Sequence, residues 1–204
     1  MTSRLIALSA LLTAAFVVSA CQTLTKEECV VADWASLGEA DGAAGRSLER
    51  FSRHVEACKE TPARPDQAAW TRGHAIGARR FCTPQNGVDA GNAGRGDPTI
   101  CAPNLAPGFL SGYRLGEERR QLRAHRIHLQ RRLDANRREM EEWREARRKA
   151  KRDDDATDRV ARRLRRERRD ILREVEDVDD DIAAVDIRIR RAGLVAPAPP
   201  APID

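Results

Sequence analysis

Apolar residues recur along the second half of the chain on a step of seven. From Glu117 to Lys151 the sequence contains no Gly or Pro, and Leu115, Leu122, Leu129, Trp143 and Ala150 share one register, interrupted at Asn136. Leu133 and Met140 fall on the companion step. From Thr157 to Ala192 the pattern repeats more regularly, with Leu164, Ile171, Val178, Val185 and Ala192 on one step and Val175, Ile182 and Ile189 on the other. Apolar positions every 3.5 residues with charges between them predict coiled-coil helices. Between them, Asp153-Asp154-Asp155-Ala156-Thr157-Asp158 supplies a polar reversal and N-cap residues. Two helices of about 35 residues, about 52 Å each, are therefore expected to fold as an antiparallel hairpin over 117–192. That register sets Glu174, Glu176, Asp177, Asp179, Asp180, Asp181 and Asp186 opposite Arg123, Arg126, Arg131 and Arg132. Each exposed pair contributes only a few tenths of a kcal/mol, but the set selects orientation. Arg119, Arg126 and Arg147 sit on apolar steps and leave the first seam imperfect, with room for dimerisation or a partner. The Ala- and Pro-rich tail, 193–204, is expected to be disordered or extended.

The other long apolar run lies at the start. After Met1-Thr2-Ser3-Arg4, residues Leu5 to Val18 are apolar apart from Ser9 and Thr13, which is short of the roughly 20 residues a membrane-spanning helix needs. Small residues follow, and the segment reads as a secretory signal peptide over 1–20. Val18-Ser19-Ala20-Cys21 resembles the bacterial lipobox. The resemblance implies acyl groups of the palmitate class on Cys21, a membrane as the first partner, and a periplasm-facing lipoprotein of the cell envelope. Gln22, where inner-membrane lipoproteins usually carry Asp, favours the outer membrane. An ordinary signal peptide with an incidental cysteine is the alternative.

Four further cysteines remain: Cys29, Cys58, Cys82 and Cys101. An even number in an exported chain indicates two disulfides, whereas zinc ligands usually come as Cys-x-x-Cys pairs, and none is present. Their pairing is suggested by a duplication. Residues 38–46 and 87–95 both read Gly-x-x-x-Gly-x-Ala-Gly-Arg, and Trp70/Gly73/Gly77 and Phe109/Gly112/Gly116 both read aromatic-x-x-Gly-x-x-x-Gly. Each half then holds its own bridge, Cys29 with Cys58 and Cys82 with Cys101. Glycines four apart share one helix face and admit a close backbone neighbour, while Gly45, Gly94 and Gly96 read as helix ends or turns. The fold class that follows is all-α: a small disulfide-braced, glycine-rich duplicated domain over 21–116, then the hairpin.

Lys26-Glu27-Glu28-Cys29, Ala32-Asp33-Trp34, Gly38, Asp41-Gly42, Gly45, His54 and Cys58 resemble the lipoprotein family known as domain of unknown function 2799. Phe81-Cys82-Thr83-Pro84, Gly87, Cys101 and Tyr113-Arg114-Leu115-Gly116 carry the resemblance on, so that it covers about 21–118. It implies an envelope lipoprotein with no catalytic residues to carry over, and leaves the charged extension without an analogue.

Composition narrows the function further. The chain is 34% charged and 4% aromatic, with 37 Lys and Arg against 32 Asp and Glu, a pI near 9.2 and a mean hydropathy of −0.61. Interleaved charges of both signs describe solvated helices rather than a nucleic-acid footprint. The glycine motifs lack the spacing of phosphate loops, so no cofactor is expected. His125 and His128, three apart, are flanked by Arg123 and Arg126, which repel a cation, and no metal site is expected. The leading expectation is a non-enzymatic envelope protein whose hairpin binds a periplasmic protein or the cell wall. Two alternatives remain: an envelope hydrolase using His54 or His74 with Asp33 or Asp41, and a binder of anionic envelope polymer or lipid through the Arg-rich helices.

Overall fold

The computed structural model describes residues 23–150 and 155–198. The expected signal peptide over 1–20, Cys21, and residues 151–154 with the first part of the expected polar reversal lie outside the described residues. All regular structure among the described residues is helical, and the chain divides into two compact units at Phe81/Cys82.

The first unit contains α1 (Lys26–Val31), α2 (Trp34–Ala43), α3 (Arg50–Cys58) and α4 (Gln67–Phe81). Thr25 and Glu28 form a reciprocal capping box that starts α1, and the Asp33 carboxylate accepts from the Ala35 and Ser36 amides to start α2. The second unit contains α5 (Pro84–Ala93), a short 3-10 turn (Pro98–Ile100), α6 (Ala106–Ala150) and α7 (Asp155–Arg191). Thr83 caps α5, with Pro84 in its first turn, where a missing N–H costs nothing.

Each unit is built on one glycine-lined helix pair. In the first, Gly38 and Gly42 of α2 face the Trp70 and His74 carbonyls of α4, and Gly73 and Gly77 of α4 face the Ala35 and Glu39 carbonyls of α2. In the second, Gly87 and Gly91 of α5 face the Phe109 and Tyr113 carbonyls of α6, while Gly112 and Gly116 face those of Pro84 and Val88. A Cβ at any of these eight positions would lie 1.9–2.2 Å from the facing carbonyl oxygen, so no side chain fits. The duplication seen in the sequence is thus a duplication of contacts. It extends to the helix ends: Gly45 (φ 69°) and Gly94 (φ 61°) occupy the left-handed region. The following Arg46 and Arg95 amides return to the Asp41 and Ala90 carbonyls, the Schellman closure that a Cβ at the glycine would strain. The paired aromatics Trp70 and Phe109 are both fully buried.

One disulfide braces each unit. Cys29–Cys58 joins α1 to the end of α3, and Cys82–Cys101 ties the entry of α5 to the exit of the 3-10 turn, each with Cα atoms 5.6 Å apart. Closing loops of 29 and 19 residues, they stabilise by about 3 kcal/mol each.

The hairpin is antiparallel, as the charges required. Arg119 pairs with Asp186 at 2.6 Å, Arg126 with Asp179 at 2.5 Å, Arg132 with Glu174 at 3.0 Å, Arg188 with Glu118 at 2.5 Å, and Arg163 with Glu139. Of the four arginines expected to meet the acidic block, Arg131 is exposed and pairs with no acid among the described residues, and Arg123 feels Asp186 only electrostatically. Leu129, Leu164, Ile171, Val178, Val185 and Ile189 fill the seam. Asn136, buried within it, donates to the Leu164 carbonyl and to Glu167, a polar pin of the kind that fixes register.

Three expectations need correction or refinement. The boundary at 116/117 is not a structural one: α6 runs unbroken from Ala106, because Gly112 and Gly116 lie on a packed face instead of ending the helix. Glycine pair and rod therefore share one 45-residue helix. Second, Arg119 is no defect in the seam. Although only 2% exposed, it donates to Asp186, to the Asn92 side chain and to the Pro197 carbonyl, which satisfies the buried charge. Arg147 is likewise accommodated, its guanidinium 5.6 Å over the Trp143 ring. Third, of the two states expected for the tail, disordered or extended, its first half takes the extended one and is held in place. The Gln85 amide both accepts from the Val195 N–H at 2.8 Å and donates to its carbonyl at 3.0 Å, and Leu194 and Ala196 pack on Val88, Val185 and Ile189. Residues 199–204 lie outside the described residues.

The packing sets the outcome of adding one methyl group. Gly77→Ala and Gly116→Ala should each lower stability by about 2 kcal/mol or more, although Ala is the better helix former by about 1 kcal/mol. Gly108→Ala, on the same face of α6 but meeting only the Pro84 ring at 3.3 Å, should cost far less. Urea denaturation of the disulfide-intact protein measures all three.

Candidate functional site

The polar cluster at the heart of the first unit is assembled by three helices and the segment before them. Asp41 comes from the buried glycine face of α2, His54 from α3, Trp70 from α4, and Thr23 from the chain ahead of α1. Asp41 is 5% exposed and His54 1%. His54 Nε2 lies 2.7 Å from Asp41 Oδ2, and the Trp70 indole N–H donates to the same oxygen at 3.1 Å. Arg46 and Arg50 approach Oδ1 at 3.5 and 3.8 Å. On its other side His54 Nδ1 lies 2.9 Å from the Thr23 hydroxyl, which also reaches the Arg53 carbonyl at 3.3 Å.

Burial pushes the Asp41 carboxyl up, but the hydrogen bonds from His54 and Trp70, with the charges of His54 and Arg46, more than offset it and hold it below the ordinary carboxylate value. Ionised Asp41 can only accept, so Nε2 carries the proton. With Nδ1 bare, the Thr23 hydroxyl donates to it. With Nδ1 protonated, the ring donates to Thr23 and the hydroxyl turns to the Arg53 carbonyl. Both states leave every polar atom of the chain Asp41–His54–Thr23 satisfied.

The second unit holds the apolar version of this cluster. At the repeat positions Asp41 becomes Ala90 and Trp70 becomes Phe109. The indole N–H and the carboxylate that accepts it disappear together, since keeping either alone would bury an orphaned polar group. His74 becomes Tyr113 in the same exchange.

Among the residues singled out from sequence, His54 and Asp41 meet directly. Asp33 does not join them: it caps α2 on the surface and also accepts from the Ser36 hydroxyl, which holds its carboxyl below the ordinary value. His74 stacks on Trp70 at 4.8 Å and bonds to the Arg46 carbonyl at 2.7 Å. His125 and His128 are exposed on α6. Among the described residues no group of three or more His, Cys, Asp or Glu could hold a metal, and no helix is long and apolar enough to cross a membrane. An open cleft of about 510 Å³ beside Thr23 is rimmed by Lys26, Lys59 and Glu60. Lys26 pairs there with Glu60 and Lys59 with Glu56, and Arg53 also lines the cleft. Sequence reasoning missed Thr23 and Trp70. The divergence of the repeats at Asp41/Ala90 and Trp70/Phe109 was the available signal.

Residues 33–118 match the family model described as Protein of unknown function (DUF2799). The chain carries a domain of this family. The matched region holds all eight packed glycines and ends two residues after Gly116, so that most of the hairpin lies beyond it. No curated protein and no solved structure matches the chain.

Removing one charge tests the cluster. Asp41→Asn should cost about 3 kcal/mol at neutral pH by leaving buried His54 and half-buried Arg50 without the carboxylate they face. A carboxyl held low in the folded state stabilises above its unfolded value, near 3.9, and ceases to as pH falls through the lower folded one. The gap between wild type and Asp41→Asn should therefore be full at pH 7 and close below about pH 4, as read by denaturation at stepped pH.

Proposed function

We propose that this protein is a cell-envelope lipoprotein, cleaved before Cys21 and acylated there, that works by interaction rather than catalysis. The observation that carries this reading is the apolar run ending in Ser19-Ala20-Cys21. Thr23, bonded to His54 and Arg53, gives the anchor almost no spacer. Two or three acyl chains bind a bilayer durably, where one would not. The two disulfides suit an oxidising periplasm. Gln22 favours the outer membrane. In this reading the braced, glycine-packed helices are a base and the charged hairpin is what meets a periplasmic protein or the cell wall.

A second reading, an envelope hydrolase, draws on one observation: Thr23, His54 and Asp41 stand in the order of nucleophile, base and acid. Its weakness is that Trp70 and both arginines already engage the carboxylate while His54 is wholly buried.

Acyl labelling decides the anchor. Cys21→Ser should lose the label and move from the membrane to the soluble fraction of the envelope. A variant that keeps the label refutes the assignment.

A further inference from the structure

The distal part of the hairpin is strongly basic. Residues 131–170 carry seventeen Arg and Lys against eleven Asp and Glu, four of those acids lying at the tip within 153–158, whereas 106–130 and 171–191 carry nine of each. The excess gathers on α7. Its inward face is set by Ala161, Leu164 and Ile171, all buried. At 100° per residue, Arg162, Arg166 and Arg169 project from the opposite face with Arg165 on its flank, and all four are exposed. Of the neighbouring acids whose side chains are described, Glu167 turns inward to Asn136, and Asp170 pairs with Arg173. None of the four arginines has an ion-pair partner among the described residues.

We infer that this arginine row of α7 is a docking surface for a membrane leaflet bearing anionic phosphate headgroups. The row is straight, about 10 Å long over seven residues, and lies on a convex helix that can rest along a plane. Guanidinium forks bind phosphate oxygens in pairs, which suits a sheet of phosphates better than a carboxylate polymer of changing direction. The envelope reading supplies only the place where such a surface would be met. The binding itself does not depend on Cys21.

The test uses the full mature chain with Cys21→Ser and intact disulfides, so that failure of lipidation leaves it unaffected. Co-sedimentation compares vesicles of phosphatidylcholine alone with vesicles containing phosphatidylglycerol, across a salt series. Binding is expected only with phosphatidylglycerol, falling steeply with salt. Arg162→Gln/Arg166→Gln/Arg169→Gln should weaken it at least about tenfold. Arg188→Gln/Arg190→Gln/Arg191→Gln, equal in charge lost but distant on the helix, should weaken it much less. Millimolar inorganic phosphate should not compete at constant ionic strength. Equal binding to both vesicles, equal losses from the two triple variants, full competition by free phosphate, or retention on an anionic polysaccharide without vesicle binding would each overturn the inference. Circular dichroism on both variants excludes unfolding as the cause.

Discussion

Everything in this fold follows from two helix pairs whose backbones touch. Eight glycines let a carbonyl oxygen of the partner helix stand where a Cβ would be. The contact is not strongly favourable in itself. A glycine inside a helix costs about 1 kcal/mol against alanine, and each Cα–H directed at a carbonyl returns about 0.5–1 kcal/mol. The glycine faces come close to breaking even. They fix geometry, and other forces must hold the geometry in place.

Those other forces differ between the units. In the first, the core is Trp34, Phe51 and Trp70 around the Cys29–Cys58 bridge, with the Asp41 cluster as a polar keystone. In the second, the same pair is continued by α6 into a long seam closed by α7, and buried Arg119 joins Asn92 of α5, Asp186 of α7 and the tail at Pro197. The shared glycine frame is thus stabilised once by a polar cluster and once by an extended apolar seam. The exchange of Asp41 and Trp70 for Ala90 and Phe109 is the side-chain consequence.

Much of this was legible from residue spacing. The heptads placed the hairpin, its acidic block chose the antiparallel register, and the repeated glycine motifs located both packed pairs. What escaped had no periodic signal. Arg119 looks like a flaw in a heptad until its three partners, from 27 to 78 residues away in sequence, are in place. The Ala- and Pro-rich tail looks unstructured because its anchors, the Gln85 amide 110 residues earlier, Arg119 and the apolar cluster around Val88, leave no periodic signal in it. Helix α6 hid its true start because the heptad pattern becomes continuous only after Gly116, whereas the turns before it are set by the glycine contact face. Of the polar cluster, His54 and Asp41 were visible as a pairing of types, but Thr23 is a hydroxyl in an unpatterned segment.

The central claim is that both pairs are held at backbone contact by glycines in equivalent positions. It is tested most directly by proton NMR of the disulfide-intact protein. Cross-helix Overhauser contacts between glycine Hα protons and partner-helix backbone protons should appear for Gly42 and Gly77 across α2 and α4. The same contacts should appear for Gly91 and Gly116 across α5 and α6. Contacts in one pair only, or their replacement in either pair by side-chain contacts alone, would contradict the account.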